Sequence, residues 1–260
     1  MNMRRVAALV ERDFKIMMSL KWKLVETFFF PITSILIWGF FILWSREMAF
    51  QAGLILLAVN MFWGFSSRIQ SGIDQQLMED RWTETFRQIS VSPMRPFEYL
   101  AGKIVIGLFF AIVSFAIVFL ITTMFFDFTF FTQHSGYFIL ITLLTIVASI
   151  ALSILVAAAI TVLGNEYGFI SWTAMQGIML FSAPFFPLTI YPPILQALAS
   201  IFPYTWIFES IRALSFTGVA PTAMLVKALL LSVAYLIASI PLYNKAYEKA
   251  RMNGRLVKIW

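Results

Sequence analysis

IVIGLFFAIVSFAIVFLITTMFF, residues 104–126, carries no charge in 23 positions and follows directly on Lys103. A hydrocarbon layer of about 30 Å is crossed by roughly 20 apolar residues at 1.5 Å rise each. This stretch is therefore long enough to cross a membrane as one helix. Working outward, five more runs have the same character: 24–44, 50–67, 137–163, 169–188 and 222–243. Inside the six, only Glu26 and Lys227 are ionisable, and each lies near an end from which it can reach the interface. Hydrophobic residues make up 60% of the 260 positions and charged residues 12%, about half of what a water-soluble surface needs. The 28 Phe, with 8 Trp and 8 Tyr, suit lipid-facing helices with aromatic rings at headgroup level. The expected fold is an all-α membrane protein with six transmembrane helices in one domain, residues 1–260.

Charge sets the expected orientation. Six Lys and Arg precede the first run, five lie between the second and third, and five follow the last. Only Arg46, Arg212 and Lys227 fall on the other side, which places both termini in the cytoplasm. The basic residues flank apolar runs, so the net charge of +6 reads as membrane topology and not as nucleic-acid binding. Within residues 1–23, Met3, Val6, Val10, Phe14 and Met17 recur at helical spacing, with Arg4, Glu11, Arg12 and Lys15 opposite. That pattern predicts an amphipathic helix in the cytoplasmic interface, with Asp13 and Lys21 as imperfections on its apolar side. The charged start is too long and mixed for a cleaved signal peptide.

Several chemistries are excluded. The absence of cysteine rules out disulfides, thiolate metal sites and a cysteine nucleophile. A phosphate-cradling loop would need glycine where Phe97 stands and Ser or Thr where Ile104 follows Gly102-Lys103. The chain is thus not expected to hydrolyse ATP. No metal site and no catalytic residue is assigned; His134 and Asp127 share one short outer loop and form the weakest of the candidate pairs. Asn60 and Gln176 stand in mid-span, either as interhelical hydrogen-bonders or as residues lining a substrate path.

Two polar regions remain. Residues 68–103 form the largest one, with a short helix expected through Asp80–Gln88 and a turn at Val91-Ser92-Pro93. Trp82 and Phe86, four apart, are expected to share one helical face and fill an apolar hole in a docking partner. Residues 191–218 hold two apolar pieces too short to cross a bilayer, broken at Pro203, as in an interfacial or re-entrant segment.

Both regions resemble the permease subunits of the type-2 ABC exporter superfamily, which move drugs, lipids or glycans outward. Those proteins carry a pattern like Gly-Thr-Leu-Glu-Gln-Leu-Leu-Val-Ser-Pro, then a Glu and a Gly-Lys. Here Thr85, Gln88, Val91, Ser92, Pro93, Glu98, Gly102 and Lys103 match in order, whereas Glu84 replaces the glycine and Arg87 the glutamate. A second similarity runs through Phe185-Phe186-Pro187, Pro192-Pro193, Pro203-Tyr204-Thr205 and the pair Glu209 and Arg212, which can meet at i and i+3. The resemblance implies a short outer re-entrant helix pair before the last span. It further implies a dimer of permeases, a homodimer first, in the plasma membrane, and two copies of a separate ABC ATPase that bind ATP and Mg while this chain binds no cofactor. Trp82, Glu84 to Gln88 and Val91 to Pro93 would then couple ATPase to membrane. A membrane scaffold without an ATPase, and less readily a membrane-embedded transferase, remain the other function classes.

Overall fold

In lipid, backbone groups must find partners within their own segment, and an α-helix supplies them. A computed structural model describes residues 2–44, 46–126, 134–164 and 169–253. Its helices are α1 (Met3–Ser19), α2 (Lys21–Trp44), α3 (Arg46–Trp82), α4 (Thr85–Val91), α5 (Pro96–Phe126) and α6 (Ser135–Leu163). They continue as α7 (Ile170–Phe181), a 3₁₀ turn (Leu188–Ile190), α8 (Pro193–Ser200), α9 (Pro203–Thr217) and α10 (Thr222–Met252). No strand occurs among the described residues.

The bundle is built on two long pairings, α6 along α10 and α3 along α5. α3 also packs on α6, α2 lies against α3 and α5, and α9 is wedged among α3, α6 and α10. α3 and α5 meet at Gly72 and Gly107, where a methyl group added to Gly107 would come within 3.1 Å of the Gly72 backbone. Small residues at a crossing let two membrane helices touch backbone to backbone.

Among the described residues, four helices are long and apolar enough to cross a membrane: α2, α5, α6 and α10. Counting α8 with α9 as one broken span gives five; the two are bent by 101° across Ile201-Phe202. The expected count of six is therefore not reached on length and composition. The fifth apolar run, 169–188, forms helix only over Ile170–Phe181, 12 residues or about 18 Å. It ends because Ser182 leaves the helix and Ala183 takes φ of 46° before Pro184. The second run, 50–67, starts among side chains that lie outside the described set; its helix α3 is 37 residues long.

α1 is the helix the sequence predicts, but its buried face is turned. Val6, Leu9 and Asp13 are buried, while Met3 and Phe14 are exposed. α1 packs along α5 and touches α2.

Candidate functional site

The turn after α3 decides what the 68–103 region presents. Thr83 and Glu84 break the helix, Glu84 adopting left-handed backbone with φ of 57°. α4 then runs for seven residues and stops at Ser92, which is extended as the residue before Pro93 must be. The Ser92 hydroxyl donates to the Ile89 carbonyl at 2.6 Å. Glu84, Arg87, Gln88, Val91, Ser92 and Pro93 are exposed, as is Trp82 at the end of α3; Thr85 is half-buried.

Phe86 departs from expectation. It is 4% exposed, with its ring 5.3 Å from Tyr99 of α5 and 6.3 Å from Tyr247 of α10, and the Arg81 guanidinium lies 5.3 Å over its face. Trp82, by contrast, is 66% exposed. The expected Trp82–Phe86 face does not exist, because the two residues belong to different helices separated by the Glu84 turn. Phe86 anchors α4 internally, and the outward apolar groups are Trp82 and Val91.

Behind this surface lies an ion cluster that sequence reading missed. Lys103 Nζ sits 2.9 Å from Asp13 Oδ2 and 2.5 Å from Asp80 Oδ2, and is 1% exposed. Arg12 Nη2 reaches Asp13 Oδ1 at 2.5 Å and Asp80 Oδ1 at 2.9 Å. The Tyr99 hydroxyl donates to Asp80 Oδ2 at 2.8 Å. Two cations thus face two buried carboxylates contributed by α1, α3 and α5, the balance that makes buried charge tolerable. Burial works against the Arg12 guanidinium, yet Asp80 and Asp13 outweigh it and lift its pKa above the ordinary arginine value. Asp13 is thus the buried anchor of α1 and no imperfection. The available signal was Asp13 and Lys103, each on an otherwise apolar helix face.

Glu98 closes the same corner. Its carboxylate accepts from the Asn2 amide at 2.5 Å and the Arg95 amide at 3.1 Å, and lies 3.5 Å from Arg5 Nη1. Arg5 also donates to the Pro93 carbonyl, so α1 holds both ends of the α4–α5 turn.

At the other end of the bundle, Glu209 and Arg212 pair as expected at 2.8 Å across i and i+3. Arg212 also donates to the carbonyls of Pro184 and Ala183, at 2.8 and 2.9 Å, and Glu209 accepts from the Leu188 amide at 2.8 Å. Together they hold the turn that ends α7, with Pro187 heading the 3₁₀ turn and Pro203 starting α9. One residue on, the Tyr204 hydroxyl meets Ser66 of α3 and Ser149 of α6, tying α9 into the core.

Asn60 and Gln176 are not brought together. Asn60 donates from Nδ2 to Ser34 Oγ of α2 at 3.4 Å and lines a cavity of about 330 Å³ between α2, α3 and α5. Gln176 is exposed on α7. His134 directly precedes α6, and Asp127 lies outside the described residues. Among the described residues no group of three or more His, Asp or Glu side chains is arranged to hold a metal ion.

Comparison with known families places this geometry. The sequence model of the family described as ABC-2 family transporter protein matches residues 46–244. No curated protein matches the chain.

Proposed function

The chain belongs to the ABC-2 transporter family, and on that premise we propose that it is the permease of an exporter carrying amphiphilic molecules such as drugs, lipids or lipid-linked glycans outward. Membership makes it a multi-pass transport subunit that is not itself catalytic and implies an ABC ATPase as partner. In this reading two permeases and two ATPase chains assemble in the plasma membrane, with six membrane passages per permease and both termini in the cytoplasm. The broken α8–α9 pair forms the outer re-entrant segment. The sixteen-to-three charge asymmetry supports that orientation. A cysteine replacing Arg251 that reacts with an impermeant thiol reagent outside intact cells would overturn it.

One observation carries the coupling assignment: α4 is exposed along one side and riveted on the other. Phe86 fixes it to α3, α5 and α10 at once, while Trp82 and Val91 stand out with Arg87 and Gln88 beside them. An exposed aromatic and an aliphatic residue on a rigid mount suit a cleft in an ATPase, and truncating such an anchor costs about 2 kcal/mol or more. A factor of ten is about 1.4 kcal/mol, so affinity should fall roughly thirtyfold. Trp82→Ala with Val91→Ala is expected to release the ATPase on copurification while the chain melts as the wild type does. Retention of a substrate-stimulated ATPase by that variant would remove the assignment.

A further inference from the structure

Two cavities run along α3 and meet at Arg68. The first is walled mostly by apolar side chains, among them Pro31, Ile35, Phe65 and Val118. The second carries more polar side chains, with Lys23, Glu26, Gln76 and Glu79 in its wall beside Met17 and Phe110. Asn60, Gly64 and Arg68 line the first, and Arg68, Gly72, Gln76 and Glu79 the second. Stepping by four residues, these positions follow a ridge that winds about 160° round α3 between Asn60 and Gln76 at 100° per residue. From residue 60 to residue 79 that ridge rises about 30 Å at 1.5 Å per residue. α2 and α5 supply the other walls.

Charge is distributed unevenly along this cleft. Lys23 and Glu79 pair with each other. Among the described residues no carboxylate lies within 4 Å of Arg68; it donates to the Glu26 carbonyl at 3.4 Å, the long end of the range, and the Glu26 carboxylate acts on it from beyond ion-pair distance. Among the described residues the Glu26 carboxylate forms no ion pair within 4 Å, Arg68 being the cation that it acts on. Gln76 Oε1 is buried with no hydrogen-bond partner. A half-buried guanidinium and a half-buried carboxylate thus sit at the polar end of an apolar slot, coupled to each other but not in direct contact, so a ligand carrying both charges can bridge them.

We propose that this cleft binds a zwitterionic phosphoamphiphile, with its phosphate on Arg68, its ammonium on Glu26 and an acyl chain in the slot toward Asn60 and Val118. Guanidinium matches phosphate with paired N–H donors. A carboxylate beside it disfavours a purely anionic headgroup and favours one carrying its own cation. The apolar slot asks for a hydrocarbon chain, so the headgroup alone is an incomplete ligand. The proposal rests on the exporter reading for its purpose, since the cleft would be where such a molecule is held before transport, but its test does not use transport.

The test is retention of lipid by the purified full-length chain in native mass spectrometry, after incubation in separate arms with phosphatidylethanolamine, phosphatidylglycerol or diacylglycerol. Phosphatidylethanolamine should be retained best. Arg68→Gln should lower its retention about tenfold or more, the scale of one charge-assisted contact. Glu26→Gln should abolish its advantage over phosphatidylglycerol. Gly64→Leu supplies a variant that leaves the charges alone: Gly64 lines the slot and a Cβ there meets nothing within 4 Å, so the larger side chain extends into the slot. It should displace the lipid while the chain melts normally. Equal retention of diacylglycerol or phosphatidylglycerol by the wild-type chain would overturn the proposal. So would insensitivity to Arg68→Gln or Gly64→Leu, or competition by soluble phosphoethanolamine as strong as by the lipid. Failure of the ATPase to copurify, with lipid retention as described, would count against the exporter reading alone.

Discussion

Replacing Lys103 by Met keeps the length and apolar stem of the side chain and removes only the ammonium between Asp13 and Asp80. Arg12 is then left facing two buried carboxylates. Taking away one partner of a buried ion pair leaves uncompensated charge and costs about 3–5 kcal/mol. The apolar part of the docking of α1 rests mainly on Val6 and Leu9, 6% and 4% exposed, each worth about 1.5–3 kcal/mol, with Phe14 adding ring contacts to Phe109 and Phe110 of α5. The lost charge is therefore comparable to what Val6 and Leu9 contribute together, and the docking of α1 should weaken sharply. At 1.4 kcal/mol per tenfold, its docked fraction relative to the detached state falls between roughly a hundredfold and a few thousandfold. The chain has no cysteine, so a thiol placed at Val6 reports this cleanly. Its modification rate follows the population in which α1 has opened, with a thiol at exposed Ala8 as reference. Lys103→Met should speed labelling at residue 6 by about a hundredfold or more. Adding Asp13→Asn leaves Arg12 and Asp80 as a balanced pair, so most of the protection should return. Wild-type labelling in Lys103→Met would refute the claim that the cluster holds α1. A double variant as open as the single one would refute uncompensated charge as the cause.

Two further outcomes follow from local geometry. Gly107→Leu must push α3 and α5 apart at a contact where even a methyl group would lie 3.0–3.2 Å from Ile73 and Gly72; overpacking of this kind costs about 1–3 kcal/mol or more, and thermal melting in detergent should show it, whereas an unchanged melt would mean the crossing is looser than described. Arg212→Lys cannot serve the Ala183 and Pro184 carbonyls and Glu209 together; a loss of about 2–4 kcal/mol is expected from bonds worth roughly 1.5–3 kcal/mol each, read as faster proteolysis between α7 and α8, and unchanged proteolysis would show that the fork does not hold that turn.

What was legible in the sequence was whatever depends on neighbours along the chain. Runs 104–126, 137–163 and 222–243 declare themselves by composition, and α5, α6 and α10 occupy them. Glu209 and Arg212 sit three apart on one helix, so their pairing could be read from spacing. The turn at Ser92-Pro93 follows from proline sterics. The failures share a different cause. Phe86 points inward because Asp80–Gln88 is not one helix, and nothing in the residues Thr83-Glu84 announces the left-handed break between α3 and α4. The run 169–188 has the composition of a span, with Pro184 and Pro187 as the legible warning at its carboxyl end; how early it turns, after Phe181, depends on the contacts of Arg212 with the Ala183 and Pro184 carbonyls. Asp13, Asp80 and Lys103 lie 67 and 23 residues apart in sequence. Only the packing of α1 on α5 and of α5 on α3 brings them together.

The cluster also bears on how a push on α4 would be passed on. Phe86 touches α5 and α10 and lies under Arg81 of α3, while Asp13 and Arg12 bind α1 to Asp80 of α3 and Lys103 of α5. Deforming this platform locally would break buried ion pairs at about 3–5 kcal/mol, so it resists bending and moves as one piece. The far turn is similarly fixed by Arg212. Bound nucleotide can bias the permease only through contacts that differ between its states, and the compliant part must lie where helices are not interlocked. α2 comes nearest to that description: it lies against α3 and α5, but the two cavities interrupt that packing, and Trp22, Val25, Phe29, Phe30, Ile37 and Phe40 on it are exposed. Under the proposed mechanism, displacement of the platform therefore widens or narrows the α2 cleft before it disturbs the rest of the bundle. Arg68 of α3 and Glu26 of α2 face each other across that cleft, so its width sets the distance between them.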